Sequence, residues 1–168
     1  MGDALGIADF VGEVVGKNAQ ASIFIPVIMF AVAIFLAFST GTSWGTFAIL
    51  VPIVVAMFSS ASNMEMMVIA VSAVLAGAVC GDHVSPISDT TVMSSAGAQS
   101  NHINHVSTQM QYAAVVAGVC VAGYIIAGIV KVWWITLGAS FILLLAVLFG
   151  MKMFLERSKK EQKVEENA

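Results

Sequence analysis

The distribution of charge constrains this chain more than any motif does. Between Lys17 and Glu65 there is no Asp, Glu, Lys or Arg, and there is none between Asp89 and Lys131. From Val132 to Met151 a further 20 residues are uncharged, which as a helix at 1.5 Å per residue matches a hydrocarbon layer of about 30 Å. Of the 168 residues, 59% are hydrophobic and 10% charged, against about a quarter charged in a soluble domain. The chain reads as an all-α polytopic membrane protein. A net charge of −3 without a basic, aromatic-rich surface argues against a nucleic-acid partner and leaves membrane lipid as the surrounding medium. Cys80 and Cys120 each stand in an apolar run, as packing residues do.

The apolar segments predict the organisation. Residues 1–20 carry Asp3, Asp9 and Glu13 among apolar positions, in the manner of an interfacial helix or a connector. These acids stand where a secretory signal would have a basic region. Residues 21–155 form the transmembrane domain. Ala21–Phe38 and Phe47–Phe58 flank the polar "STGTSWGT", and the short second arm predicts a re-entrant helical hairpin. Ser62 and Glu65 fit a capping box opening a helix over 63–80. A break then precedes a short helix over 89–98, so that 63–98 is one broken transmembrane helix. Thr108 and Gln111 fit a second capping box, which opens a span over 109–129 and leaves 99–107 as a solvated loop. After a turn at Lys131 the last span runs over 133–153, with Trp133 and Trp134 in an aromatic belt. Residues 156–168 are a charged tail, expected to be disordered beyond Lys160. Lys152, Arg157, Lys159, Lys160 and Lys163 put this C-terminus in the cytoplasm by the positive-inside rule, in a multi-pass protein of the cell (inner) membrane.

Two polar interruptions carry the chemistry. "GAVCGDHVSPISDTTVMSSAG" (77–97) sets Asp82, His83, Asp89 and six hydroxyls between oily runs. Gly81 is expected to end one half-helix, Pro86 to block its continuation, and Ser88 or Asp89 to cap the next. Backbone leaves helical form at membrane depth only beside protein or a water-filled cavity, so such a break marks an ion or substrate site. A buried carboxylate there needs a partner, a cation or a proton, and exchanging the last two is the minimal chemistry of antiport. Asp82, Ser85, Ser88, Asp89, Thr90 and Thr91 offer hard oxygen ligands. Ser39, Thr40, Thr42 and Ser43 at the hairpin tip add more, with Gly41 and Gly45 permitting a tight turn. Asp89 at an amide end, beside Ser85, Ser88 and Thr90, is the expected cation ligand, and Asp82 at a carbonyl end the expected proton carrier. His83 is a candidate proton partner or gate, and His102 and His105 belong to the polar loop. The tip around Gly41 and the break are expected to meet, since each can line the cavity that the other needs.

"FSTGTSWGTFAILVPI" followed by "AGAVCGDHVSPISDTTVMSSAGAQSNHINHVSTQMQYA" resembles the C-terminal region of the NhaC-type Na+/H+ antiporter family of the ion transporter superfamily. The resemblance runs from about Leu5 to Tyr124. It implies secondary active sodium/proton antiport, with Na+ and H+ as transported ions, no cofactor and no enzymatic activity. Members are much longer and resemble two inverted halves, each with a hairpin and a broken helix. One of each here implies the C-terminal half, completed by the missing N-terminal half or by a second copy. Competing readings are a sodium-coupled carrier of organic or amino acids, a non-functional fragment, and a membrane metalloprotein using Asp82, His83, His102 and His105.

Overall fold

The computed structural model describes residues 19–59, 64–130 and 132–166. They form six α-helices: α1 (Ala19–Thr40), α2 (Ser43–Ser59), α3 (Met64–Val84), α4 (Asp89–Gly97), α5 (His102–Val130) and α6 (Trp133–Glu166). Four of them, α1, α3, α5 and α6, are long and apolar enough to cross a membrane, and α2 is a shorter apolar helix. The polytopic all-α architecture expected from the charge distribution is therefore present. Of the interfacial helix or connector expected over residues 1–20, residues 1–18 lie outside the described residues, as do the Ser62 cap and the turn at Lys131, while residues 19 and 20 open α1.

Helices α1 and α3 form the centre of the molecule and make its most extensive helix pair. Their shared face is built from small residues: Ala33 and Ala37 on α1, and Ala70, Ala73, Gly77, Ala78 and Gly81 on α3, all buried. A Cβ on Gly77 would lie 2.4 Å from the Phe30 carbonyl oxygen, and one on Gly81 would lie 2.2 Å from that of Ile34. Lipid tails are as apolar as side chains, so helices associate in a bilayer through close packing, and small residues at i and i+4 permit it. Gly81 therefore does not end its helix, as the sequence had led us to expect. The helix runs on to Val84, and the glycine serves close approach.

Around this pair, Leu50, Val54, Met57 and Phe58 of α2 close one side of the core. On another side α5 packs against both α1 and α3. Tyr124 joins the three, stacking at a tilt on Phe30 (5.4 Å between centroids) and donating its hydroxyl to the Ser72 carbonyl at 3.1 Å. α6 packs mainly on α5 and buries little of its own surface. It does not stop after the apolar stretch but continues as helix to Glu166, past Lys160, where disorder was expected. Trp134 is exposed, as a belt residue would be in lipid.

The loop expected over 99–107 is also mostly helix. Asn101 caps α5: its Oδ1 accepts the Asn104 N–H at 3.1 Å, and its carbonyl accepts the His105 N–H at 2.9 Å. This cap sits seven residues before the Thr108 that resembled one. Thr108 instead bonds back to the carbonyls of Asn104 and His105, each at 3.0 Å, inside the helix. The polar connection between α4 and α5 shrinks to 98–101.

Candidate functional site

The hairpin tip is two residues of non-helical backbone. Gly41 takes φ +68° and its N–H closes the last turn of α1 on the Ala37 carbonyl at 2.8 Å. This is the left-handed helix stop that glycine adopts without a Cβ penalty. Thr42 starts α2, its Oγ1 accepting the Gly45 N–H at 3.4 Å and its carbonyl accepting the Thr46 hydroxyl at 3.0 Å. Ser39 and Thr40 donate to their own helix, to Phe35 O at 2.8 Å and Leu36 O at 2.9 Å. Both are exposed, whereas Ser43 is buried. Among the described residues, none of the tip hydroxyls named from sequence is hydrogen-bonded to the break.

The break is four residues, Ser85–Ser88, between α3 and α4. Proline at position 86 supplies no N–H and disfavours helix for the residue before it. Ser85 N–H still reaches the Asp82 carbonyl at 3.1 Å, and Ser88 N–H reaches Ser85 O at 3.3 Å. Ser85 is fully buried, and its hydroxyl donates to the Phe38 carbonyl of α1 at 2.8 Å. A Cβ on Gly41 would lie 2.9 Å from Ile87 Cγ1 and 3.0 Å from Ile87 O. The tip and the break are thus in direct contact, as each requires of the other.

Oxygen ligands gather around Asp82. The buried Ser88 hydroxyl donates to Asp82 Oδ1 at 2.6 Å and lies 2.8 Å from Thr90 Oγ1. Ser88 has one hydrogen and a carboxylate can only accept, so Thr90 is the donor in the second contact. The result is a directed chain from Thr90 through Ser88 to Asp82. The expected set of Ser85, Ser88 and Thr90 around Asp89 is not what forms. Ser88 caps α4 by backbone geometry with no side-chain cap bond, because its hydroxyl is turned to Asp82. Asp89, in the first turn of α4, is exposed, and no hydrogen bond or ion pair reaches its carboxylate among the described residues. The Thr91 hydroxyl crosses back to the His83 carbonyl at 3.1 Å, holding α4 against the end of α3.

His83 and Asp82 are neighbours in sequence that face different surroundings. The His83 side chain lines a cavity of about 450 Å³ together with Cys80, Gln109, Tyr112 and Cys120. Among the described residues no hydrogen bond joins it to Asp82. The largest revision concerns His102 and His105. Both sit on the first turns of α5, and their rings bond to serines of α4, His102 Nδ1 to Ser95 Oγ at 3.0 Å and His105 Nε2 to Ser94 Oγ at 3.1 Å. They are part of the fold around the break and not solvated loop residues. The i, i+3 spacing of the two histidines was the available signal, since it puts both rings on one helical face.

A family model matches residues 1–129, described as the Na+/H+ antiporter family. The chain belongs to that family. It is also 50% identical over 129 residues to an uncharacterized protein of Haemophilus influenzae (strain ATCC 51907 / DSM 11121 / KW20 / Rd), an overlap of 77% of this chain and 25% of that relative. The chain therefore spans about a quarter of the length of the curated relative it matches. No solved structure matches it significantly. In antiporter-family terms the matched part ends in α5, so α1 to α4, the tip and the break all fall inside it, and α6 falls outside.

Proposed function

We propose that this chain belongs to the C-terminal half of an NhaC-type sodium/proton antiporter, in which a proton and Na+ compete for the Asp82 carboxylate. The observation that carries the reading is the directed Thr90–Ser88–Asp82 chain at a helix break that touches a second, glycine-built break. With the proton absent, the Ser88 hydroxyl oxygen stands 2.6 Å from Asp82 Oδ1 and 2.8 Å from Thr90 Oγ1, linking two hydroxyl oxygens and a carboxylate oxygen. That is a hard-oxygen set of the kind sodium takes. With the proton present, the carboxylic acid and the hydroxyls satisfy each other without a metal. Asp89 contributes charge at the amide end of α4, where the helix dipole favours an anion. In this reading the chain lies in the cell (inner) membrane with its C-terminus in the cytoplasm. The rest of the ion path comes from the missing N-terminal half or from a second copy.

The test is sodium-driven proton movement in proteoliposomes that hold this chain with its complementing segment, followed by fluorescence quenching from pH 6 to 9. Asp82→Asn should abolish the sodium response. Ser88→Ala should raise the sodium concentration for half-maximal response by about tenfold, the effect of losing one bond to a charged group at about 1.5 kcal/mol. Asp89→Asn should shift it less than Ser88→Ala. An Asp82→Asn protein that inserts at normal abundance and still exchanges sodium for protons would defeat the assignment. Sodium-dependent uptake of a labelled organic acid without proton exchange would move the protein to the carrier reading.

A further inference from the structure

A helix break frees backbone carbonyls that the helices cannot satisfy. At this one, the carbonyls of Asp82 and Ser85 take the N–H groups of Ser85 and Ser88, and that of His83 takes the Thr91 hydroxyl. The apex carbonyl belongs to Pro86, and its partner comes from another helix: His102 Nε2 of α5 lies 2.8 Å away. The other bonds at the apex are long, 3.3 Å from Ser88 N to Ser85 O and 3.4 Å from Ile87 N to Ser85 Oγ. The imidazole is therefore the short tether at the apex, matching in length the 2.8 Å bond by which Ser85 ties the start of the turn to α1.

The second ring nitrogen fixes the first. A carbonyl only accepts, so Nε2 must carry a hydrogen. In the neutral ring Nδ1 is then an acceptor, and the hydroxyl within reach is that of buried Ser95, at 3.0 Å. Ser95 Oγ also lies 2.9 Å from the Val92 carbonyl. It has one hydrogen for two acceptors, and giving it to Nδ1 locks the tautomer that donates to Pro86. His105 differs in what it reaches. Its Nε2 meets Ser94, a residue within α4, and touches none of the break backbone.

We propose that His102 is a positioning residue for the Asp82–Ser88–Thr90 cluster, clamping the Pro86 carbonyl and Ser95 to α5 so that the turn presents Ser88 to Asp82. This rests on the reading of that cluster as the cation site. Ser88 follows Pro86 by two residues, and its 2.6 Å bond to Asp82 has little slack for movement of the turn.

Four variants in the intact protein, in lipid nanodiscs and proteoliposomes, test the clamp. His102→Gln keeps an amide N–H that reaches about as far as Nε2. His102→Asn keeps only a group near the position of Nδ1, His102→Ala keeps neither, and Ser95→Ala removes the lock. Hydrogen exchange at the Ile87 and Ser88 amides should rise at least about fivefold in the Ala and Asn variants, the equivalent of one net hydrogen bond, and stay within about twofold of wild type in His102→Gln. Ser95→Ala should fall between. The sodium concentration for half-maximal exchange should follow the same order, with maximal rate changing less. Unchanged amide exchange in the Ala and Asn variants overturns the clamp. Raised exchange with unchanged sodium dependence overturns its positioning role, and failure of Gln to rescue shows that ring packing and not the bond matters. A wild-type protein with no sodium response defeats the proposed function instead, while the amide-exchange arm still decides the clamp.

Discussion

Gly81→Ala should separate the two central helices. The new methyl would stand 2.2 Å from the Ile34 carbonyl oxygen, 2.9 Å from its carbon and 3.0 Å from its Cα. All three are backbone atoms, so no rotamer change relieves the contact. Restoring ordinary contact requires α1 and α3 to part by about 1 Å. Four residues along, Ser85 Oγ bonds Phe38 O at 2.8 Å, and a shift of that size stretches this bond beyond useful length. Overpacking a close-packed contact costs about 1–3 kcal/mol, and the stretched bond adds about 1 kcal/mol. Alanine also favours helix over glycine by about 1 kcal/mol, which offsets part of the loss. The expected net destabilisation is about 1–3 kcal/mol. Reversible unfolding in mixed micelles measures it, with Gly118→Ala as the control, since a Cβ there meets nothing within 4 Å. The control should be neutral or stabilising. Equal stability of Gly81→Ala and Gly118→Ala would mean that the α1–α3 approach is looser than described and that the small-residue seam is not what joins them.

Two further changes probe the elements that hold the site. Ser85→Ala strips the part-buried Phe38 carbonyl of its cross-helix donor and should cost about 1 kcal/mol in the same unfolding assay, with faster amide exchange at both the tip and the break. Asn101→Ala removes the side-chain cap of α5 and should cost about 1 kcal/mol, read as faster exchange confined to the first turn around Asn104.

How far the sequence reveals the fold depends on the kind of signal. Long uncharged runs reported the spanning helices, because burying charge in lipid is costly over any register. Proline and the clustered polar residues located the break, and Gly41 located the tip, because both alter local backbone. Three features look different in the structure for a common reason. Gly81 looked like a helix stop, but glycine in a membrane helix also serves close approach, and which role applies depends on the neighbour across the interface. The 99–107 segment looked like loop since it is polar, yet its histidines find serines on α4 and so can lie on a helix. Asp89 looked like the better ligand because its helix-end position favours an anion. The structure instead gives the Ser88 hydroxyl to Asp82, six residues back, with Thr90 behind it. Each of these depends on a partner from a distant part of the chain, which local pattern cannot contain.

The hydroxyls around the break fall into two sets with different consequences for movement. Ser85 bonds α1 and Thr91 bonds the end of α3, each to a backbone carbonyl, while the His102 ring ties the turn to α5. Breaking any of these leaves a part-buried backbone carbonyl without its donor, so they resist displacement. Ser88 and Thr90 bond only each other and Asp82 among the described residues. Their loss strands no backbone group, and an entering cation can replace their mutual bonds with its own. The first set therefore ties the turn to its neighbours, and the second is free to change partners. Under the proposed function, exchange of a proton for a cation at Asp82 would draw on the second set and leave the first intact.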